Sequence, residues 1–343
     1  MTPRKTGIPA TGELPRLSIL CPVYNEGAVV PLFFARLKPV IDLLATRYSI
    51  HLVFLNNAST DDTLQAIYAV GERWPETYIV SMSRNVGYQR SLERGLRTIE
   101  SDLYVFIDVD CEDPPEMIET FVRHFEAGYD IVYGERVDRE EPLLVKRGRH
   151  LFYRLIHAIA DEEVILDMAE FSLFTREVRN AIIQENSSFP FIRASIARVG
   201  FRRAAIPFKR ERRIAGQTHY NFFRLFVFAA AGILASSTLL LRLPIYILPV
   251  WFALMIPLCI GFGETGSRWD AVTAFLLAAS YVAATSAATA LYVARTYKNG
   301  LIRPNAFIDH SRSILPHPVG IESVSADSSS SGGAEIATNR PYQ

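Results

Sequence analysis

Residues 103–116 read LYVFIDVDCEDPPE and contain three successive local signals. The apolar run at residues 103–107 predicts a buried strand. Asp108 and Asp110 follow it directly, and residues 114–116 (PPE) open a helix, because proline is tolerated in a first helical turn. The stretch therefore predicts a strand, an acidic turn and a helix in immediate succession.

The residues on both sides of this stretch repeat the alternation of strand and helix. Further strands are predicted at residues 17–21, 51–55, 78–82 and 131–133, and helices at 29–44, from a cap at 59–62 to 74, and at 88–99. Alternation at this spacing predicts an α/β fold with a mostly parallel sheet covered on both faces. In such sheets, ligands bind at the carboxyl ends of the strands.

Polar residues follow three of the predicted strands at the ends where a ligand would bind. They are residues 22–26 (PVYNE), 56–61 (NNASTD) and 108–113 (DVDCED). Asp108 and Asp110 point to the same side if the strand continues through them. Two converging carboxylates repel each other unless a cation lies between them, and oxygen ligands suit Mg²⁺ or Mn²⁺. The alternative is a solvated acidic turn before a helix N-terminus, which favours negative charge.

The composition excludes several classes of function. The chain has 343 residues, with 36 Lys+Arg against 36 Asp+Glu and a formal net charge of +0. It therefore lacks the basic excess of a general nucleic-acid binder. The sequence contains neither GxGxxG nor GxxxxGKS/T, so a dinucleotide-binding site and a P-loop both lack their phosphate cradle. Its 3 cysteines form no CxxC pair, which favours a reducing compartment.

The hydrophobic residues are concentrated between residues 222 and 293. Three apolar runs there, at residues 222–241, 245–262 and 271–293, approach the roughly 20 residues that a spanning helix needs. Cationic residues flank both sides of this region, and the positive-inside rule places both flanks in the cytosol, which requires an even number of spans. The alternative is a buried pair of core helices.

These patterns predict an integral membrane protein whose catalytic domain lies in the cytosol. The first residues contain no apolar core of the kind that a signal peptide needs. The predicted regions are a disordered leader (1–15), the α/β catalytic domain (16–220), an interfacial juxtamembrane helix (221–242), two transmembrane helices (243–295) and a cytosolic tail (296–343) that is disordered after about residue 323.

Four motifs, in this order, resemble those of one enzyme family. They are residues 22–26, 57–63 (NASTDDT), 83–87 (SRNVG) and 108–116. Together they resemble an inverting GT-A glycosyltransferase of the large second family, and more narrowly the polyprenyl-phosphate glycosyltransferases, which include bactoprenol glucosyltransferases and dolichol-phosphate mannose synthase. Three later segments are similar to further motifs of that family, namely residues 167–174, 210–220 (RERRIAGQTHY) and 303–304 (RP).

The resemblance implies a Rossmann-like GT-A domain at a lipid bilayer. This domain would move a sugar from a nucleotide-diphospho-sugar to an undecaprenyl- or dolichyl-type phosphate with inversion, supplying a lipid-linked sugar for cell-envelope glycans. The implied cofactor is Mg²⁺ or Mn²⁺. The implied residues are Asp108, Asp110 and Glu112 for the metal; Pro22, Tyr24, Glu26, Asn56, Asn57 and Asp108 for the donor; Asp108, Asp110 and Glu170 for catalysis; and Arg210 and Arg213 for the acceptor phosphate.

The sequence leaves alternatives open for individual residues. Glu170 either positions or deprotonates the acceptor, or only forms an ion pair at a sheet edge. Arg210 and Arg213 bind the acceptor phosphate, anionic lipid at the membrane surface, or both. Asn56 and Asn57 stand where the family usually has acidic residues that hold the nucleotide base, which leaves the base and the sugar of the donor open.

Two rival functions stay open as well. One is a glycosyltransferase of the same fold with another lipid or glycan acceptor, although the QxxRW motif of processive synthases is absent. The other is a non-catalytic membrane adaptor, against which the intact DVD at residues 108–110 argues. A homo-oligomer, a downstream flippase and a lumenal or periplasmic glycosyltransferase are the further partners that the resemblance leaves open.

Overall fold

The computed structural model describes residues 14–137, 165, 168–185, 190–213, 238–266, 268–301 and 304–316. The strands are β1 (Arg16–Val23), β2 (Ser49–Asn56), β3 (Thr77–Ser81), β4 (Leu103–Phe106), β5 (Ile131–Val137), β6 (Met168–Thr175) and β7 (Arg203–Lys209). The helices are α1 (Val30–Leu44), α2 (Thr63–Gly71), α3 (Tyr88–Thr98), α4 (Met117–Glu126), α5 (Arg176–Gln184), α6 (Ile192–Arg198), α7 (Leu239–Thr265) and α8 (Arg268–Gly300).

Seven strands form one sheet in the order β3-β2-β1-β4-β6-β5-β7 within the described part of the chain. β1 pairs in parallel with β2 and β4, β2 with β3, and β5 with β7. β6 runs antiparallel to both of its neighbours, β4 and β5. The predicted α/β fold with a mostly parallel sheet is therefore confirmed, with β6 as the reversed strand.

Helices cover both faces of the sheet. Successive apolar residues of β1 point to opposite faces, so each face has an apolar surface that a helix must cover. Ile19 and Cys21 belong to the core beneath α1, α2 and α4, whereas Leu20 belongs to the core beneath α3. Gly95 brings α3 so close to the sheet that a Cβ there would lie 2.7 Å from Leu55 and 3.1 Å from Leu20. This close packing fixes α3, whose first residues lie beside the acidic turn.

The carboxyl ends of the parallel strands β1, β2 and β3 lie next to one another on the same side of the sheet. Val23 pairs with Asn56, and Asn56 pairs with Ser81 in the next strand. The polar segments that follow these strands therefore lie next to one another, as the parallel arrangement predicts.

The strand β4 ends at Phe106, close to the predicted end at residue 107, so the condition under which Asp108 and Asp110 would alternate as strand residues is not met. A turn replaces it, with a φ of 55° at Cys111. In this turn the Asp110 carboxylate accepts a hydrogen bond from the Glu112 backbone N–H at 3.1 Å. A tight turn, rather than the alternation of a strand, thus brings the acidic side chains together.

The helices α7 and α8 are long and apolar enough to cross a membrane, with mean hydropathies of 2.2 and 1.6. They form a hairpin in which the Trp251 and Tyr281 rings lie 5.2 Å apart and the Tyr281 hydroxyl donates to the Pro244 carbonyl at 3.0 Å. Both predicted spans fall within these helices. Most of the predicted interfacial helix, residues 221–237, lies outside the described residues, as do the predicted leader up to residue 13 and the tail after residue 316.

The chain returns to the sheet after α8. Residues 304–316 lie along the outer side of β3, with antiparallel bridges between Ile79 and Ile314 and between Met82 and Ile308. Of the predicted tail (296–343), residues up to 300 belong to α8, and residues 304–316 are bound to the sheet of the catalytic domain.

Candidate active site

The acidic turn after β4 concentrates carboxylates that are shielded from water. Asp110 and Asp113 are buried, at 9% and 2% exposure, and Asp108 is half-buried. Burial, followed by the charges of Asp110 and Asp113, raises the pKa of Asp108 to about 7. The Tyr88 hydroxyl, at the start of α3, donates to Asp108 Oδ1 at 2.8 Å.

The turn fits a divalent cation that shares its shell with a substrate. No three His, Cys, Asp or Glu side chains among the described residues converge as a ready-made metal site. Mg²⁺, however, commonly takes one or two carboxylates from a protein and completes its shell with substrate phosphates and water. Asp108 and Asp110 offer such a pair, and within the described ranges the buried Asp113 Oδ1 has no hydrogen-bond partner. The crowded negative charge is of the kind that a cation would relieve.

Arg210 and Arg213 lie directly over this turn, in the segment that follows β7. Arg213 Nε lies 2.6 Å from Glu112 Oε1 and 3.4 Å from Asp110 Oδ2, and Arg210 also pairs with Glu112. The Glu211 N–H donates to the Glu112 carbonyl at 2.9 Å, which joins the two backbones. The Glu112 carboxylate is thus engaged by two guanidinium groups, and its service as a metal ligand stays a prediction.

A third arginine holds this segment from the side. Arg36 of α1 lies 2.8 Å from Glu116 Oε1 through Nε and 2.8 Å from Glu211 Oε2 through Nη1. It therefore bridges the start of α4 and the segment that contains Arg210 and Arg213. No motif in the sequence pointed to Arg36, because its partners lie 80 and 175 residues away.

Glu170 lies on β6, beside the same site. Its Oε1 atom accepts hydrogen bonds from Gln89 Nε2 at 2.9 Å and from Arg193 Nη2 at 3.2 Å. Its Oε2 atom is buried and has no hydrogen-bond partner in the described part of the chain. The Glu170 charge also contributes to the raised pKa of Asp108, so the two carboxylates face one site.

The ion-pair alternative for Glu170 is partly realised. Arg193 pairs with it, but β6 lies between β4 and β5, so the pair is in the interior of the sheet and not at an edge. Gln89 is a second partner that sequence reasoning missed. Its side-chain oxygen accepts from the Ile192 N–H at 2.9 Å, so it joins α3 to α6.

The predicted donor-binding turn after β1 is built from backbone groups that side chains of the next polar segment hold. The Asn25 N–H donates to Ser59 Oγ at 3.1 Å, and the Glu26 N–H donates to Thr63 Oγ1 at 2.8 Å. Tyr24 is exposed, while Pro22 and Glu26 are half-buried. The turn therefore presents Tyr24 outward from a fixed backbone.

Asn56 and Asn57 lie at this edge, but their amides bind protein groups. Asn56 is fully buried; its Nδ2 donates to Ser81 Oγ at 3.0 Å and its Oδ1 accepts from the Ser59 N–H at 3.0 Å. Asn57 donates to Asn85 Oδ1 at 3.0 Å and accepts from the Val86 N–H at 2.8 Å. Their contact with a nucleotide stays a prediction. In the structure, the two amides hold the loop that begins at Asn57 and the loop at residues 83–87.

The structure thus brings together eleven predicted site residues on the side of the sheet where β1, β2 and β4 have their carboxyl ends, in two adjacent groups. The acidic turn, Glu170 and the two arginines form one group, and the turns after β1 and β2 form the other. Asp167, residues 214–220 and Arg303, which belong to quoted motifs, lie outside the described residues.

The comparisons with known proteins agree with this geometry. A sequence model of the family described as glycosyl transferase family 2 matches residues 18–189, which is half of the chain. That range contains all but the first two residues of β1, all of β2 to β6, the acidic turn and Glu170. The chain belongs to glycosyl transferase family 2, and it is a glycosyltransferase.

Curated relatives are similar over about two thirds of the chain. An uncharacterized glycosyltransferase of Bacillus subtilis is 32% identical over 67% of this chain and 71% of its own length, and one of Synechocystis is 34% identical over 67% and 72%. A protein of Escherichia coli named prophage bactoprenol glucosyl transferase homolog is 30% identical over 68% of this chain and 76% of its own length.

Proposed function

We propose that this protein transfers a sugar from a nucleotide-diphospho-sugar to a polyprenyl phosphate, with inversion, at the cytosolic face of a membrane. The observation that carries the proposal is the contact between the acidic turn and the Arg210–Arg213 segment. That segment leads along the chain to α7 and α8, so it joins a site for a donor diphosphate to helices that suit a bilayer. The relative named as a bactoprenol glucosyl transferase homolog supports this acceptor class.

The two arginines suit the acceptor because its phosphate is already largely anionic at neutral pH, with a second pKa of about 6. Arginine binds phosphate through two parallel N–H groups, which fixes orientation as well as charge. Arg213 presents one edge to Glu112, and in the proposed complex it holds the acceptor phosphate beside the acidic turn. A strong general base is less necessary than this cationic clamp.

The proposed reaction is a single displacement. An acceptor phosphate oxygen forms a bond to the anomeric carbon, while the bond from that carbon to the nucleoside diphosphate breaks and its electrons leave with the diphosphate. Glu170 orients the acceptor and accepts any remaining phosphate proton at Oε2, because Gln89 and Arg193 both occupy Oε1. Asp108 and Asp110 would hold a divalent ion that stabilises the charge on the leaving diphosphate.

The return of the chain to β3 supports two membrane crossings. Residues up to 213 contact the acidic turn, and residues 307–314 bond again to β3 and the two residues that follow it. Both ends of the intervening region therefore lie on one side of a bilayer, which requires an even number of spans. The hairpin of α7 and α8 meets this condition. The predicted bounds of the membrane region, residues 243–295, stay a prediction.

The decisive experiment is transfer by the purified full chain. UDP- and GDP-sugars would be supplied with Mn²⁺ and undecaprenyl phosphate, and the lipid product measured by mass spectrometry. We expect one donor to give a polyprenyl-phosphate sugar. Transfer to a glycan or to another lipid would support the rival glycosyltransferase. If the protein binds the nucleotide-sugar but neither transfers the sugar nor hydrolyses the donor, the non-catalytic adaptor would be supported. Self-association, the flippase and the lumenal or periplasmic glycosyltransferase stay predictions.

A further inference from the structure

The segment that follows α8 binds the edge of the sheet through backbone hydrogen bonds. The Ile79 N–H donates to the Ile314 carbonyl at 2.8 Å, and the Asp309 N–H donates to the Ser81 carbonyl at 2.8 Å. The Ser83 N–H donates to the Phe307 carbonyl at 2.9 Å. Residues 304–316, here called the return segment, therefore cover the otherwise open edge of β3.

Ser81 connects the return segment to the interior of the site. The buried Ser81 hydroxyl donates to the Arg312 carbonyl at 2.8 Å and accepts from Asn56 Nδ2 at 3.0 Å. The Ser81 N–H donates to Ser313 Oγ at 3.0 Å. Ser81 of β3 is thus hydrogen-bonded both to the return segment and to Asn56 of β2.

The contacts continue from Asn56 to the turn after β1. The Asn56 amide oxygen accepts from the Ser59 N–H at 3.0 Å, and Ser59 Oγ accepts from the Asn25 N–H at 3.1 Å. Asn25 has a φ of 55°, in the left-handed region, so its conformation needs support from its neighbours. An unbroken chain of hydrogen bonds therefore runs from Arg312 to the turn at residues 22–26.

A second contact anchors the return segment to α3. Asn305 Nδ2 donates to Glu93 Oε2 at 2.7 Å, and Glu93 is 7% exposed. One turn earlier on the same helix, Gln89 binds Glu170. The return segment is thus attached to α3, whose Gln89 holds Glu170, as well as to the strand ends proposed for the donor.

We propose that the return segment belongs to the donor site. It holds the turns at residues 22–26 and 56–60 in the conformation that binds the donor. Donor affinity then depends on the chain having passed through the α7–α8 hairpin and returned. This inference rests on the proposed function only in assigning those turns to the donor. The physical basis is the cost of a buried amide without a partner. If the Ser81 hydroxyl is lost or displaced, the buried Asn56 amide is left unsatisfied, and the turns at residues 22–26 and 56–60 lose their support.

The first test needs no donor. Hydrogen–deuterium exchange would compare the full chain with a chain that ends at residue 303 and keeps both apolar helices; a chain that ends at Pro316 is the control. We expect faster exchange at residues 22–26 and 56–60 only in the shorter chain. Unchanged exchange in those two turns, with loss of protection confined to β3, would overturn the coupling.

Point variants separate the effect of the Ser81 hydrogen bonds from simple loss of a covered edge. Ser81→Ala removes the hydroxyl but keeps the backbone pairing. The control, Thr46→Ala, removes a hydroxyl that donates to the Leu43 carbonyl at the end of α1, away from the return segment and the donor turns. We expect Ser81→Ala to speed exchange at residues 22–26 and to weaken binding of the UDP- or GDP-sugar that binds the full chain by about fivefold to tenfold. Thr46→Ala should leave both unchanged.

The outcomes also separate the two proposals. Looser turns with unaltered nucleotide-sugar affinity would overturn the assignment of the return segment to the donor site. If the full chain binds no nucleotide-sugar, the proposed function fails while the exchange data still decide the coupling.

Discussion

Arg213 donates from Nε to Glu112 Oε1 across 2.6 Å, which ties the segment after β7 to the acidic turn after β4. These two residues are 101 positions apart in the chain. Their contact places the cations proposed for the acceptor beside the carboxylates proposed for the donor metal, at the side of the domain from which the chain continues to α7.

Replacement of Arg213 by lysine should raise the apparent KM for polyprenyl phosphate far more than the KM for the nucleotide-sugar. Lysine keeps the charge but loses the planar pair of N–H donors. We expect about a tenfold rise, and a larger one for Arg213→Ala, because hydrogen bonds to charged groups contribute about 1.5–3 kcal/mol each. Arg212→Lys, at the neighbouring exposed arginine, is the matched control.

The Arg213 variants, together with the same replacements at Arg210, also test the lipid-binding alternative for these two residues. If these residues only grip anionic lipid, activity should recover in detergent with a short, soluble acceptor analogue. Such recovery would move the two arginines from the active site to the membrane anchor.

Loss of Arg36 should weaken acceptor binding at a distance. Arg36→Ala removes the bridge between Glu116 and Glu211 and leaves the Arg210–Arg213 segment less well placed. We expect a higher KM for the acceptor with little change in the KM for the donor. Arg47→Ala removes a comparable ion pair, with Glu126 at 2.7 Å, and should leave both constants unchanged. Equal effects of the two variants would contradict a positioning role.

Asp110→Asn should abolish transfer, and Asp108→Asn should severely reduce it, with folding intact in both. Each change removes a charge from the proposed metal clamp, and electrostatic stabilisation of this kind contributes about 10²–10³ in rate. Turnover would be measured with and without EDTA, and folding by circular dichroism. Full activity in EDTA, or in the Asp110 variant, would rule out the metal assignment.

Gln89→Glu should slow transfer and shift its pH dependence. A second carboxylate beside Glu170 disfavours ionisation of the pair. Since Glu170 must be ionised to accept a proton, the acidic limb of the kcat profile should move to higher pH. Gln89→Ala should lower kcat without that shift, and superimposable profiles for the two variants would argue against a role for the Glu170 charge.

The full chain should resist extraction from membranes by alkaline carbonate, and its release into the supernatant would contradict two spanning helices. Their orientation can be checked with an impermeant maleimide on intact cells, in a Cys259→Ser background. Trp269→Cys, at the tip of the hairpin, should react from outside, because Trp269 is 80% exposed. Ser311→Cys, at an exposed position of the return segment, should react only after lysis, since that segment is bound to the catalytic domain.

Local signals were sufficient for the first half of the fold. Each end of the strands β1 to β4 lies within two residues of the predicted run, because those runs are short and apolar and are followed by polar segments. β6 and β7 were not predicted. β6 (MAEFSLFT) is buried at every position although it contains Glu170 and Ser172, and β7 begins and ends with a cation, so neither has a clear period of two.

The sequence by itself determined the α/β class, the acidic turn, the family resemblance and the apolar helices, because these depend on residues close together in the chain. Only the tertiary structure decided that Gln89 and Arg193 hold one oxygen of Glu170, that Arg36 braces the arginine segment, and that residues 304–316 return to β3. Those contacts join residues between 23 and 235 positions apart. Such pairs carry no spacing signal, since chain packing and not local preference brings them together.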